Sequence, residues 1–120
     1  MRNHRKLRAF ELADELAVAV YKQTGSFPRE EQFGLTSQLR RAAVSAASNI
    51  VEGCGRDSFA DYIRFLDMAH GSAHEVEYQV SLAHRLGFLN EPAAKELSAL
   101  AIETCKVLNG LIRSLRAAPS

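Results

Sequence analysis

Apolar residues recur along the chain at steps of three and four, the spacing that lines one face of an α-helix. In the first segment Leu12, Leu16 and Val20 repeat every four residues with Ala13 and Ala17 beside them. This predicts a helix over about 7–24, ended at Gly25. The connection GSFPREE follows. Pro28 suits a first helical turn, and Glu30 and Glu31 favour the positive end of a helix, so the second helix is expected over about 30–52. That helix is rich in small residues, among them Ala42, Ala43, Ser45, Ala46, Ala47 and Ser48, which admit a close neighbour. Gly53 and Gly55 supply a permissive backbone for its end.

The third helix is expected over about 58–86. Ser58 and Asp61 have capping-box-like spacing, and Leu66, Ala69, Ala73, Val76, Val80 and Ala83 form a heptad-like core stripe. Gly87 stops it, with Phe88 placed to fold back in a Schellman-type end. Asn90 is a good N-cap and Pro92 suits the first turn of a fourth helix over about 91–116. Its expected buried face is Leu97, Leu100, Ala101, Thr104, Val107, Leu108, Leu111 and Leu115, with Gly110 read as a close helix contact and 117–120 as a frayed tail. No segment has the two-residue period of a strand. Short connections force antiparallel neighbours, so the expected fold is all-α, a single up-down-up-down four-helix bundle over 1–120.

Composition narrows the functional classes. With 47% hydrophobic and 24% charged residues the chain is an ordinary globular one. Two cysteines, Cys54 and Cys105, make neither a disulfide framework nor a zinc signature. Cys54 beside Arg56 is either a somewhat reactive thiol or, more commonly, a small turn residue. No apolar h-region follows the basic start, and no apolar run approaches a bilayer's thickness. A cytoplasmic protein without membrane partners is expected.

Net charge is only +1, yet its distribution is uneven. Arg2, Arg5, Lys6 and Arg8 form a basic arm over 1–8, and Arg113 and Arg116 follow the last acid, Glu103. An up-down-up-down bundle brings both groups to the pole where helices two and three join, beside Arg56. Asp57 is the only acid in that turn. These seven cations are the expected nucleic-acid contacts, acting through salt-dependent phosphate binding. The plainer reading is a solvated arm plus cations that complement a helix C-terminus.

The Arg40-Arg41 pair is expected opposite residues 67–75, in an ion-pair network or an interface rather than on phosphate. His70, His74 and Glu77 share one helical face, a spacing feasible for zinc. HEVEY misses HExxH because Tyr78 stands where the second histidine belongs. A solvated polar stripe is the favoured reading there, so neither metal nor cofactor is expected. Glu52, Glu75 and Glu77 have no accompanying nucleophile, and Gly53-Cys54-Gly55 is too short for a phosphate loop. No catalytic residue is expected. Phe59, Tyr62, Phe65 and Leu82 do not fit one seam of the third helix, which suggests a second buried face and hence an oligomer.

The stretches FPREEQFGLTSQLRRAAVSAASNIVEGCGR and FLDMAHGSAHEVEYQVSLAHRLGFL carry specific ordered positions. Among them are Phe27-Pro28, Gly34-Leu35, Gln38-Leu39-Arg40-Arg41-Ala42, Asn49-Ile50, Glu52-Gly53, Gly71-Ser72, Glu75, Glu77 and Leu86-Gly87. In these the chain resembles the bacterial four-helix-bundle protein family, also called the 23S ribosomal RNA intervening-sequence protein family. The resemblance runs from about Phe10 to Leu111. It implies a bundle assembling as a ring, commonly a pentamer, with Arg40, Arg41, Asn49, Glu52, Gly53, Ser72, Glu75 and Glu77 as structural or interface positions. Some members are encoded within intervening sequences of 23S ribosomal RNA genes. A related branch serves diversity-generating retroelements, binding nucleic acid and a reverse transcriptase. Most members have no assigned activity. The expectation is therefore an oligomeric binder of structured RNA, DNA or a nucleoprotein, with a protein-interaction scaffold as the alternative.

Overall fold

The heptad-like stripes become four helices in a computed structural model that describes residues 2–118. They are α1 (Arg8–Thr24), α2 (Leu35–Cys54), α3 (Phe59–Arg85) and α4 (Glu91–Ala117). Each packs against its chain neighbours, and α1 closes the ring of contacts against α4, giving an antiparallel bundle 48 × 22 × 19 Å. Met1 of the basic arm and Pro119–Ser120 of the expected tail lie outside the described residues. No helix among the described residues is long and apolar enough to cross a membrane.

Local chemistry sets the ends. The Ser58 hydroxyl accepts from Asp61 N at 2.9 Å and the Asn90 side chain accepts from Ala93 N at 2.9 Å, satisfying donors that a first turn leaves orphaned. α3 ends in the expected Schellman pattern. Gly87 takes φ 81°, Phe88 N donates to Ala83 O at 2.9 Å and Gly87 N to His84 O at 3.0 Å. The start of α2 differs from expectation. Arg29–Glu31 forms a separate 3-10 turn, and the helix begins only at Leu35. Gly34 holds the N-cap position without a side chain to bond, and Glu31 Oε1 accepts from Leu35 N at 3.0 Å in its place. The acid that favours the helix N-terminus thus works from outside the helix.

The core lies in two layers along the bundle. One gathers Leu16, Val20, Leu39, Val76, Val80 and Leu97. The other gathers Ile50, Cys54, Tyr62, Leu66, Leu108 and Ile112. Every residue of the expected α3 stripe is buried. On α4 the buried face is rotated slightly: Cys105 and Ile112 are buried, while Leu100, Val107, Leu111 and Leu115 are half-buried.

Two glycine readings are corrected. Gly53 sits inside α2, and a Cβ there would lie 2.9 Å from Phe65 Cβ and 3.3 Å from Tyr62 O, so it permits close approach of α3 rather than stopping the helix. Gly110 is exposed, and a Cβ added there would meet nothing within 4 Å, so it marks no helix contact. Of the four surplus apolar residues of α3, Tyr62 and Phe65 are buried within the bundle, while Phe59 and Leu82 are half-buried. Exposed large apolar side chains are spread over the molecule: Val18, Tyr21, Val44 and Val51 on α1 and α2, Met68 and Tyr78 on α3, Ile102 on α4, and Phe33 and Leu86 in the connections.

Candidate nucleic-acid interface

At the pole where α2 passes into α3, the basic arm folds back onto the turn. Arg2 Nη1 donates to Arg56 O at 2.8 Å, and its guanidinium lies 4.0 Å from the centre of the Tyr62 ring. Arg56 lies 4.6 Å and Arg64 4.7 Å from the centre of Phe65. Stacking on a ring face restrains a guanidinium while leaving N–H edges open. Arg2, Gly55, Arg56 and Asp57 line a depression of about 450 Å³. The C-terminus of α4 joins this end, because Arg116 bonds Asp67 of α3. Arm, turn and α4 terminus are thus gathered as the topology requires.

The charge balance at the pole differs from expectation. Asp57 is not the only acid in reach. Glu52 pairs with Arg56 at 3.2 Å, Glu11 with Arg8 at 3.7 Å, Asp61 with Arg64 at 3.4 Å, and Asp67 with Arg116. Among the described residues, Arg5, Lys6 and Arg113 have no acidic partner within 4 Å and are exposed. Arg64 escapes a reading of the basic runs because it lies within α3, outside them. Its i, i+3 spacing to Asp61 is the available signal.

Cys54 lies beneath this surface and is buried. Burial raises its thiol above the ordinary value near 9, against a smaller lowering by Arg2. That favours the plain structural reading of Cys54 over a reactive one. Burial likewise raises the Tyr62 phenol.

Arg40 does not face α3 in an ion-pair network. Its Nε donates to Thr24 Oγ1 at 2.9 Å and its guanidinium stacks 4.5 Å from the Tyr21 ring centre, tying α2 to the C-terminus of α1. Arg41 is exposed and has no ion pair among the described residues. The α2–α3 link is made by neutral groups instead. The Ser45 and Ser72 hydroxyls are 2.9 Å apart and Gln79 Nε2 donates to Gln38 Oε1 at 3.5 Å, while within α2 Asn49 Nδ2 donates to Ser45 O at 2.8 Å. Glu75 accepts from buried Gln79 at 3.3 Å. Glu77 lies elsewhere, 3.7 Å from His74 Nδ1.

His70 and His74 meet a residue that helical spacing could not supply. Cys105 of α4 comes within 4.8 Å of both, ligand atom to ligand atom. These three residues could hold a metal ion. Burial pushes the Cys105 thiol up to about 11, helped by the Glu77 carboxylate, and burial lowers the His70 imidazole from its ordinary value, with His74 adding to the shift.

The fold and the gathered cations define an all-α bundle with a basic pole. The chain matches the family described as 23S rRNA-intervening sequence protein over residues 5–110, and it belongs to that family. Among solved structures it is similar to a protein of unknown function from the S23 ribosomal protein family of Bacteroides thetaiotaomicron VPI-5482. Identity is 24%, TM-score 0.80, with 88% of this chain and 95% of that chain covered. No curated protein matches.

Proposed function

We propose that this chain is a non-enzymatic, cytoplasmic bundle that assembles into a ring and binds structured nucleic acid, or a nucleoprotein, through its basic pole. The observation that carries the reading is the set of ring-stacked guanidiniums of Arg2, Arg56 and Arg64 beside uncompensated Arg5, Lys6 and Arg113. Restrained guanidiniums lose less entropy on meeting phosphate, and the exposed cations add salt-dependent attraction. A ring places copies of this pole side by side, and repeated weak sites gain avidity.

Assembly is supported by the apolar groove between α1 and α2, about 600 Å³, lined by Phe10, Ala17, Val44, Ala47 and Val51 among others. The resemblance favours a pentamer. This groove also favours a second reading, a protein-interaction scaffold with no nucleic-acid role. Filter binding of a structured RNA across a salt series, run beside sedimentation of the same sample, separates the two. Salt-sensitive retention by an oligomer supports the first reading. An oligomer retaining no RNA at any salt supports the scaffold, and a single-chain mass refutes assembly.

A further inference from the structure

α3 turns His70 and His74, four residues apart, onto one face, their rings edge to face at 4.6 Å between centres. α4 sets the sulfur of Cys105 against them. One ligand atom from each residue lies within 4.8 Å of the other two. The three line a groove of about 310 Å³ with Glu77 and Ile102. Cys105 is its floor, His70 is half-buried and His74 stands exposed at the mouth. The groove belongs neither to the basic pole nor to the α1–α2 face.

We propose that His70, His74 and Cys105 bind a divalent ion of the zinc type, with Glu77 beside His74. Two imidazoles and a thiolate are a borderline-soft donor set, which suits zinc and disfavours magnesium and calcium. Tetrahedral zinc holds its ligand atoms roughly 3.4–3.6 Å apart, from Zn–N near 2.0–2.1 Å and Zn–S near 2.3 Å. Closing from 4.8 Å asks for side-chain rotation into an open groove, with both helices left in place. Binding forms two Zn–N bonds and one Zn–S bond, and the thiol proton leaves to solvent. Three protein ligands leave a fourth position facing water. Glu77, 3.7 Å from His74 Nδ1, is placed to orient that ring so that Nε2 meets the ion, as carboxylates do behind zinc-bound histidines. The missing second histidine of HEVEY is immaterial, because the working pair is His70 with His74.

The test uses the reduced, metal-free full chain titrated with cobalt(II) and, calorimetrically, with zinc. One ion per chain is expected, with the charge-transfer absorption of a cobalt–thiolate bond. Cys105→Ser removes that absorption. Cys105→Ser and His74→Ala each weaken zinc at least about tenfold, and Glu77→Gln by roughly 10–100-fold. His84→Ala, on the same helix outside the groove, leaves binding unchanged. His74 is exposed, so its variant keeps the test valid even where Cys105→Ser perturbs the core. Wild-type chain lacking cobalt–thiolate absorption, or His74→Ala binding zinc as tightly as wild type, overturns the proposal.

Discussion

Replacing Gly53 and Gly110 by alanine makes the same chemical change at two helical positions with opposite expected signs. In an exposed helix interior, glycine costs about 0.8–1 kcal/mol relative to alanine. Gly110 meets that condition, since nothing lies within 4 Å of the added Cβ. Gly110→Ala is therefore expected to stabilise by about 1 kcal/mol. Gly53 sits in the last turn of α2, where the propensity gain is smaller. Its new Cβ meets Phe65 Cβ at 2.9 Å and Tyr62 O at 3.3 Å. Neither atom is the movable end of a side chain, so α2 and α3 must part locally. Overpacking of this kind costs about 1–3 kcal/mol. The net for Gly53→Ala is a loss of up to about 2–3 kcal/mol. For a chain of 120 residues, 1 kcal/mol moves Tm by about 4 °C. Thermal unfolding followed by circular dichroism should show Gly110→Ala a few degrees above wild type and Gly53→Ala several degrees below. Two variants that rise together would refute the close approach of α2 and α3 at Gly53.

Other expectations follow from the same contacts. Asn90→Ala removes the α4 N-cap and should cost about 1 kcal/mol in urea unfolding, with Asn90→Ser largely restoring it. Arg40→Ala loses a charge-assisted bond to Thr24 and the Tyr21 stack, about 1–2 kcal/mol, whereas Arg41→Ala should stay within about 0.5 kcal/mol; equal effects would contradict the different roles of this pair. Cys54 has a folded pKa raised by burial, so its stabilising contribution is complete below the unfolded thiol pKa and is lost as pH rises through the folded one. Urea midpoints should therefore fall above about pH 9, with a shallower fall in Cys54→Ala; identical slopes would count against a thiol held protonated.

Much of the fold is legible in the sequence because it is local. Steps of three and four identify the α3 stripe residue by residue, and Ser58, Gly87 and Asn90 mark ends through hydrogen bonds made within one turn. The start of α2 is harder to place, because an acid near a helix N-terminus acts similarly from inside the first turn or from outside it. Glu31 does the latter. Features that depend on how one helix is rotated against another are not legible. Arg40, expected to face α3, reaches α1 instead. Tyr62 and Phe65 look surplus on a flat helical wheel, but the missing Cβ of Gly53 lets α3 come close enough to bury them. The four-residue spacing of His70 and His74 is visible in the sequence. Cys105 joins them only once α4 has a register.

The seven cations of the pole follow from charge runs and chain direction, but their pairing does not. Glu52, Glu11 and Asp67 compensate Arg56, Arg8 and Arg116; of the remaining four, Arg2 is held by Arg56 O and the Tyr62 ring, leaving the exposed Arg5, Lys6 and Arg113 as the contacts that most directly decide nucleic-acid binding. Fluorescence anisotropy of a labelled structured RNA, titrated over a range of salt concentrations, is the direct measurement, with Arg5→Ala/Lys6→Ala/Arg113→Ala beside wild type. Affinity for wild type should fall linearly with salt on logarithmic axes, and the triple variant should lower that slope by about 3 for each pole engaged, about one for each phosphate contact removed. A folded wild-type oligomer that binds no RNA at low salt, or a triple variant with an unchanged slope, would contradict recognition through the basic pole.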